Sequence, residues 1–381
     1  NLKGFPGWRL ASQVVTDRRK WAIGLGVAEA DLIQTVNDRF RKPLDPVVVD
    51  AAEAPVKQVV LLGDAADLTK LPAMWTSEDD PGPYIASGMV VIRDPETGTR
   101  NLSYHRQQIM GPDRSGFLIC PRHALRVYQK FQERNEPMPV AIVVGAHPAI
   151  IYAAGFTTQY GVDEMSLAGG LMEDPVRLVK CETSDLEVPA DAELVIEGVI
   201  LPEGMTEEGP FGEVTGGYAE EGSTEIFKLT AITHRRDPIF YGMHSGAPMG
   251  DPQSISGTCI EAALTEHLSK VEGGMNILDI RCLGVSGLMA VVIKLRPRIA
   301  GQAKTALMAA LSSPYMHPKL AIAVDEDIDA SDLRQVFWSL TTRVHAERDV
   351  TPIDNTRIWS LDNVSDIVPG MSPMYRIGTK L

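Results

Sequence analysis

The order of strand-like and helix-like segments limits the possible folds of this 381-residue chain more than any other property of its sequence. Between about residues 84 and 234, short apolar runs separated by turn residues are typical of β-strands. After residue 275, strand-like and helix-like segments alternate, which is typical of an α/β domain. We therefore predict a mixed α/β (α+β) protein with a β-rich centre and a domain boundary near residues 255–275.

The individual elements follow from apolar periodicity and from Gly, Pro and Asp signals. We predict helices over residues 14–40, 122–134, 148–154, 163–171, 253–273, 299–311 and 331–340. We predict strands over residues 56–61, 89–93, 101–110, 140–144, 194–200, 227–234, 290–295 and 320–324. Asp163 is expected to cap the helix that follows it, and Trp75 is expected to anchor the loop over residues 72–83.

Charge and cysteine usage exclude several classes of protein. Lys and Arg number 36 against 50 for Asp and Glu, and the net charge of −14 disfavours nucleic acid and anionic membranes as partners. The four cysteines form no C-x-x-C pair, so we expect no structural zinc, no disulfide framework and a cytoplasmic location. No apolar run reaches 18 residues, so we expect no membrane insertion. Because the chain begins at Asn1 rather than Met and ends abruptly at Leu381, we expect both ends to be cuts through a longer protein or limits of order.

A rigid acidic loop, running Glu208-Gly209-Pro210-Phe211-Gly212-Glu213, is the first candidate functional segment. Glycine and proline restrict the loop, so its two carboxylates can be aimed into a cavity. Two carboxyl groups held close together can take different protonation states, as general acid–base chemistry requires. The alternative is an acidic surface turn, because most charged residues are solvated.

The second candidate is the strand-like segment from Asn101 to Arg106. On a strand, Asn101, Ser103 and His105 share one face and Arg106 takes the other, unless a bend brings it round. The Arg106 guanidinium is suited to a bidentate grip on a carboxylate. The alternative is an ion pair at the edge of a sheet.

A third, dispersed set combines Asn101, His123 and Glu164. An amide oxygen, an imidazole and a carboxylate suit Mn²⁺ or Mg²⁺ with positions left open for phosphate or water. Sequence spacing does not require that the three side chains meet. The alternative is that they are ordinary hydrogen-bonded residues.

Several ordered motifs together resemble one known family. The segments that carry the resemblance are Asn101 to Arg106, Pro121-Arg122-His123, Gly161-Val162-Asp163-Glu164, residues 179–186 (VKCETSDL), residues 208–213, residues 324–329 and Thr341-Thr342-Arg343. Over nearly its whole length the chain is similar to the UbiD-like family of prenylated-FMN-dependent (de)carboxylases.

The resemblance implies a split β-barrel flavin-binding domain joined by a linking helix to a smaller α/β oligomerisation domain. An N-terminal α/β segment, the prenylated-FMN domain, the linking helix and the C-terminal domain would cover residues 1–85, 86–255, 256–275 and 276–381. We expect a homodimer or a homohexamer. We also expect the family's first segment and last helix to be missing from this chain.

The resemblance also implies roles for individual residues. Arg106 would orient the substrate carboxylate, Glu208 would hold Arg106, and Glu213 would donate a proton. Asn101, His123 and Glu164 would bind Mn²⁺ or Mg²⁺, with K⁺ nearby. The residues expected to contact prenylated FMN are Asn101, Ser103, Tyr104, His105, Arg106, Arg122, His123, Gly155, Phe156 and Glu164. Lys319 is the candidate substitute for a basic residue that some members place on the cofactor phosphate.

The activity implied is reversible decarboxylation of an aromatic, heteroaromatic or α,β-unsaturated acid through a covalent adduct with prenylated FMN. The carboxylic acid and CO₂ would be the small-molecule partners, and a flavin prenyltransferase would supply the cofactor. Two alternatives stay open. One is a non-catalytic flavin- or metal-binding subunit of a larger carboxylase, and the other is a metal-dependent hydrolase that uses Asn101, His123 and Glu164 without flavin.

Overall fold

The computed structural model describes residues 2–219, 222–246, 250–271, 274–371 and 374–381. The chain divides into two compact units. The first consists of Asn1–Glu213 and Tyr218–Pro252, and the second of Val214–Gly217 and Gln253–Leu381. Residues 1–85 therefore lie in the same unit as the β-rich centre. The division into four domains stays a prediction.

The first unit alternates strands with a few helices. Its strands are β1 (Arg9–Ala11), β2 (Val47–Val48), β3 (Val59–Leu62), β4 (Tyr84–Ile85), β5 (Met89–Arg93), β6 (Arg100–Tyr104), β7 (Gln107–Ile109), β8 (Arg114–Phe117), β9 (Met138–Val144), β10 (Arg177–Lys180), β11 (Glu187–Pro189), β12 (Leu194–Glu208), β13 (Phe211–Gly212), β14 (Tyr218–Ala219), β15 (Gly222–His234) and β16 (Ile239–Tyr241). Its helices are α1 (Arg18–Leu25), α2 (Leu32–Phe40), α3 (His123–Arg134), α4 (Pro148–Gly155) and α5 (Glu164–Met172).

An antiparallel sheet, with nine strands among the described residues, forms the centre of the first unit and curls into a half-barrel. Its order is β4-β7-β8-β15-β12-β9-β5-β6, and β3 pairs with the last residues of β15. Strand β9 and the first half of β12 are almost entirely buried, which explains their nearly continuous apolar sequences MPVAIVV and LVIEGVI. Both β12 and β15 are longer than predicted, because their polar ends keep pairing beyond a register shift between Ile200 and Met205.

Smaller sheets complete the first unit. Strand β1 pairs in parallel with β16. Strand β10 pairs antiparallel with β11 and parallel with β2. The short strands β13 and β14 pair antiparallel and form a hairpin next to the acidic loop.

Three further predicted elements are wrong in extent. Residues 14–40 are not one helix, because Gly26 closes α1 in the left-handed conformation, with a φ of 66°, before α2 begins. The strand predicted over residues 56–61 starts only at Val59, since Pro55–Lys57 is a 3₁₀ turn. The strand predicted over residues 101–110 is interrupted between β6 and β7.

Helix α5 is buried along nearly its whole length and packs against α2 and α4. Gly170 permits this close approach, because a Cβ there would lie 2.8 Å from the carbonyl oxygens of Arg39 and Lys42. The Asp163 side chain accepts the Met165 N–H at 2.9 Å, so the predicted helix cap is confirmed. These contacts fix the position of Glu164 at the first turn of α5.

The second unit is an α/β structure. Helix α6 (Asp251–Leu268) begins at the division between the units and ends five residues before the predicted helix end at residue 273. The other elements of the unit are β17 (Ile277–Cys282), β18 (Ala290–Leu295), α7 (Gln302–Leu311), β19 (Leu320–Val324), α8 (Leu333–Thr342), α9 (Ala346–Asp349), β20 (Ile353–Ile358), β21 (Asp366–Ile367) and β22 (Arg376–Lys380). Strands β18 and β19 are parallel and are connected through α7, and their apolar residues pack with those of α6 and α7.

Candidate active site

Arg106 lies in the break between β6 and β7. The His105 N–H donates to the Gly88 carbonyl at 3.4 Å, and the Leu118 N–H donates to the Arg106 carbonyl at 3.4 Å, so the backbone is held on both sides of the break. Regular strand alternation therefore does not apply to Arg106. The bend that the sequence left open is present, and it directs the guanidinium to the acidic loop.

The Arg106 guanidinium joins the two carboxylates of that loop. Its Nε donates to Glu208 Oε1 at 2.7 Å and its Nη2 donates to Glu208 Oε2 at 2.8 Å. Its Nη1 donates to Glu213 Oε1. The guanidinium carbon also lies 4.7 Å from the centre of the Phe211 ring, within the range of a cation–π contact. The structure thus brings all three predicted catalytic side chains together.

The acidic loop is held by its backbone amides. Glu208 is the last residue of β12 and is buried, and the Gly209 N–H donates to Gln108 Oε1 at 3.3 Å. Gly209 has a φ of 98°, a conformation that only glycine adopts readily. The Gly212 N–H donates to Asp80 Oδ1 at 2.9 Å. The loop is therefore fixed at both ends, as its glycines and proline predicted.

Asp80 is a positioning residue that sequence reasoning missed. Its carboxylate is buried, and besides Gly212 it accepts the Ser77 N–H at 3.0 Å. It stands in the loop over residues 72–83, where the sequence predicted Trp75 as the anchor. That prediction is wrong, because Trp75 is 62% exposed. The partner of Asp80 is 132 residues away in sequence, so no local pattern identifies it.

Burial and charge act together around Arg106. Burial alone would lower the pKa of its guanidinium, but the hydrogen bonds to Glu208 and the charges of Glu213 and Glu208 outweigh burial and raise it. Burial raises the pKa of the Tyr84 phenol, and the negative charge of Glu208 adds to this effect. Burial likewise raises the pKa of the Cys120 thiol. At neutral pH the site therefore holds a permanent cation beside an uncharged phenol and an uncharged thiol.

Asn101, Ser103 and His105 are connected side by side, as their spacing on a strand predicted. Asn101 Nδ2 donates to Ser103 Oγ at 3.1 Å, and Ser103 Oγ lies 3.0 Å from His105 Nε2. His105 Nδ1 lies 2.9 Å from the Leu118 carbonyl oxygen, and the ring stacks on Phe117 at 5.4 Å. Burial lowers the pKa of His105 to about 4.

Glu164 contacts β6, the last strand in the sheet order among the described residues. Its Oε2 accepts the Leu102 N–H at 2.8 Å, and its Oε1 accepts the Thr158 hydroxyl at 3.0 Å. The neighbouring ion pair between Arg100 and Asp163, at 2.6 Å, holds the same strand against the start of α5. Burial raises the pKa of Glu164 to about 7. Glu164 thus contacts the backbone of Leu102, the strand residue that follows Asn101.

His123 begins α3 and contacts the loop that precedes α5. Its ring meets the Tyr160 ring edge-on at 5.4 Å, and the Arg126 guanidinium lies 4.1 Å from the centre of the same ring. The Tyr160 hydroxyl donates to Asp94. Arg122 donates to the Thr157 hydroxyl at 2.9 Å. One loop, residues 157–160, therefore contacts Arg122 and His123 on one side and Glu164 on the other.

The remaining predicted flavin contacts surround helix α4. The Tyr104 hydroxyl donates to the Ile151 carbonyl at 3.2 Å. Gly155 is the last residue of α4, and Phe156 follows it with its ring 4.7 Å from that of Phe40. These three positions are half-buried, and Gly155 and Phe156 directly precede the loop over residues 157–160.

Direct contacts do not join the three predicted metal ligands. Within the ranges that the structure describes, no hydrogen bond links any two of Asn101, His123 and Glu164. The same ranges contain no cluster of three or more His, Cys, Asp or Glu side chains able to hold a metal ion. The predicted metal ligands include the amide of Asn101, so they would not form a cluster of this composition. Lys319 is engaged in an ion pair with Asp362 at 2.7 Å within the second unit.

Three solved structures similar to this chain are a UbiD-class enzyme and two decarboxylases of aromatic acids. The UbiD-class enzyme HmfF from Pelotomaculum thermopropionicum in complex with FMN is 33% identical, covers 95% of this chain and 79% of its own, and superposes with a TM-score of 0.87. The 3,4-dihydroxybenzoic acid decarboxylase AroY from Klebsiella pneumoniae is 28% identical and covers 100% of this chain and 81% of its own, with a TM-score of 0.90. The vanillic acid decarboxylase of Sedimentibacter hydroxybenzoicus is 31% identical and covers 97% of this chain and 78% of its own, with a TM-score of 0.83.

The fold and these likenesses define an enzyme of the carboxy-lyase class. Models of the two 3-octaprenyl-4-hydroxybenzoate carboxy-lyase domains match nearly the whole chain, the Rift-related domain over residues 47–248 and the C-terminal domain over residues 253–380. The chain therefore belongs to the UbiD family. The resemblance seen in the sequence motifs and the predicted fold class are confirmed. Among the described residues, no helix is both long and apolar enough to cross a membrane.

Proposed function

We propose that this chain catalyses the reversible non-oxidative decarboxylation of an aromatic, heteroaromatic or α,β-unsaturated acid with prenylated FMN as cofactor. The observation that carries this proposal is the convergence of Arg106, Glu208 and Glu213 across 102 and 107 positions of sequence. The names of two solved relatives specify aromatic acids, which supports the substrate class. Structures of HmfF contain FMN or prFMN, which supports the cofactor.

Arg106 keeps donors for a substrate. A guanidinium has five N–H groups, and three hydrogen bonds go to Glu208 and Glu213. One N–H therefore stays on each terminal nitrogen, and this pair matches the two oxygens of a carboxylate. Glu208 holds the adjacent edge of the guanidinium, formed by Nε and Nη2, so a substrate carboxylate would be bound in one orientation.

Glu213 is positioned to hold and then donate a proton. It contacts the terminal nitrogen of Arg106 that a substrate carboxylate would also contact. The incoming negative charge would favour the protonated form of Glu213. The protonated carboxyl group can then act as the general acid toward the carbon that has lost CO₂. Glu208 keeps its carboxylate on Arg106 throughout.

The residues assigned to the metal have the chemistry that a divalent cation requires. Asn101, His123 and Glu164 supply the oxygen and nitrogen donors that Mn²⁺ or Mg²⁺ accepts. Glu164 has a raised pKa of about 7 and is a buried carboxylate without a cationic partner among the described residues, and a divalent cation would favour its ionised form. Prenylated FMN would supply the electron sink for the charge left when CO₂ departs. We propose K⁺ as a further ion without assigning residues to it.

Co-expression with a flavin prenyltransferase tests the proposal. The purified chain should release a molecule with the mass of prenylated FMN, and it should liberate CO₂ from at least one acid in a panel of aryl, heteroaryl and acrylic acids. Analytical ultracentrifugation would separate the homodimer from the homohexamer, the two assemblies that we propose. Omission of the prenyltransferase is the matched control and should abolish CO₂ release.

The alternatives give different outcomes in the same experiment. A non-catalytic subunit would bind flavin but release no CO₂ from any acid until a partner protein is added. A hydrolase would turn over with metal alone. Either outcome would contradict the proposed function.

A further inference from the structure

A chain of hydrogen bonds runs from Asn101 to the protein interior. Ser103 Oγ lies 3.1 Å from Asn101 Nδ2 and 3.0 Å from His105 Nε2, and His105 Nδ1 lies 2.9 Å from the Leu118 carbonyl oxygen. Phe117 stacks on the imidazole with an interplanar angle of 23°. The ring is therefore held in one plane with both nitrogens engaged.

The carbonyl at the inner end fixes the direction of every bond in this series. A carbonyl oxygen can only accept, so His105 Nδ1 must carry the hydrogen. Burial keeps the imidazole neutral at neutral pH, as the lowered pKa of about 4 also indicates. His105 Nε2 is then an acceptor, and the single hydroxyl hydrogen of Ser103 must point to it.

The same logic determines which way the Asn101 amide faces. With its hydrogen committed to His105, Ser103 Oγ can only accept from Asn101. The Nδ2 group of Asn101 is therefore turned to Ser103, because a flipped amide would place two acceptor oxygens against each other. Oδ1 points the other way, and it accepts no hydrogen bond from any residue that the structure describes.

We propose that Ser103 and His105 are positioning residues that hold the Asn101 carboxamide with its oxygen free for the divalent cation. This role rests on the proposed function, which places that cation among Asn101, His123 and Glu164. The N–H of Leu102, the residue after Asn101, donates to Glu164, so Asn101 adjoins in sequence the residue that holds the carboxylate assigned to the same ion. Partners that orient metal ligands in this way contribute roughly 10- to 100-fold to metal affinity.

The test measures Mn²⁺ affinity rather than turnover. The purified chain with saturating FMN is titrated with Mn²⁺ while the electron paramagnetic resonance signal of the free ion is recorded. Ser103→Ala removes the hydroxyl that links Asn101 to His105. Ser115→Ala is the matched control, because Ser115 is a buried strand serine whose hydroxyl has no partner among the described residues. The series is repeated in Asn101→Asp, since a carboxylate presents an oxygen to the ion whichever way it is turned.

The proposal predicts a dissociation constant for Mn²⁺ that is roughly 10- to 100-fold higher in Ser103→Ala and unchanged in Ser115→Ala. In the Asn101→Asp background, adding Ser103→Ala should leave the dissociation constant unchanged. Affinity equal to that of the unmodified chain in Ser103→Ala would overturn it. So would an equal loss in the Asn101→Asp background, which would mark a general distortion of the strand.

Two further comparisons keep the result decisive. If Ser103→Ala does not fold, Ser103→Thr and Ser103→Val form a matched pair in which only Thr keeps the hydroxyl, and the proposal requires the tighter binding in Thr. Glu164→Ala separates the two levels of inference. If Glu164→Ala weakens Mn²⁺ binding and Ser103→Ala does not, only the positioning role of Ser103 and His105 is overturned. If Glu164→Ala leaves Mn²⁺ binding unchanged, the proposed metal site is overturned together with that role.

Discussion

Arg106 and Glu208 form a bidentate ion pair in which both carboxylate oxygens accept a hydrogen bond, at 2.7 and 2.8 Å, from different nitrogens of one guanidinium. The arginine comes from a break between two strands and the glutamate from the end of a third strand. The pair is buried, so water competes little with it. Its consequence is a guanidinium whose remaining donors are fixed in direction before any substrate arrives.

Arg106→Lys should cripple the enzyme although the charge is kept. An ammonium group cannot bind Glu208 with two parallel hydrogen bonds and hold a substrate carboxylate in the same plane. We expect the kcat/KM for CO₂ release to fall by at least about 100-fold. Arg114→Lys, at an exposed strand position, is the control and should keep the full rate. A near-native rate in Arg106→Lys would remove Arg106 from the site.

Asp80→Asn should loosen the acidic loop. Its two oxygens accept N–H groups from Gly212 and Ser77, and an amide would turn a donor toward one of them. We expect a loss of roughly 1–3 kcal/mol in the free energy of unfolding and a lower kcat with flavin content unchanged. The exposed neighbour variant Asp79→Asn should change neither. If Asp80→Asn has the stability and kcat of the unmodified chain, the loop is not held by Asp80.

Local patterns were sufficient for the buried elements. The apolar runs of β5 and β9, the cap at Asp163 and the helix α3 follow from periodicity and capping signals, and the structure has them within a few residues. Strand alternation also predicts the shared face of Asn101, Ser103 and His105, because it places every second side chain on the same side.

Contacts between distant segments limited the rest of the prediction. No glycine or proline marks the break at Arg106, which depends on pairing with Gly88 and Leu118. Asp80 holds the acidic loop from 132 residues away, so its buried carboxylate has no local signature. The polar ends of β12 and β15 pair with each other without apolar periodicity, so their length could not be read from either sequence alone.

Tyr160 should control how well His123 binds the metal. Its ring packs between His123 and Arg126, and its hydroxyl binds Asp94. Tyr160→Leu removes the ring, and we expect Mn²⁺ affinity to fall by roughly 10-fold or more. Tyr160→Phe keeps the ring and should lose less, which makes it the matched control. Equal affinities in the two variants, measured by Mn²⁺ titration with FMN bound, would contradict this role.

His105 should make the stability of the protein depend on pH. Its pKa is lowered from 6.5 to about 4, so between these values the unfolded chain binds a proton that the folded protein does not. This contribution to stability is complete above pH 6.5 and declines, by up to about 1.4 kcal/mol per pH unit, as the pH falls toward 4. His105→Gln should lack it. Urea unfolding at several pH values would contradict the prediction if both proteins lost stability in parallel.

The most direct test is CO₂ release by Glu213→Gln, compared with the unmodified chain after both have been loaded with prenylated FMN. We predict that the variant keeps its flavin content but loses net turnover, by roughly 100- to 10,000-fold, because an amide cannot supply the proton. Turnover at the unmodified rate with equal flavin content would contradict the central claim that Arg106, Glu208 and Glu213 form the catalytic site.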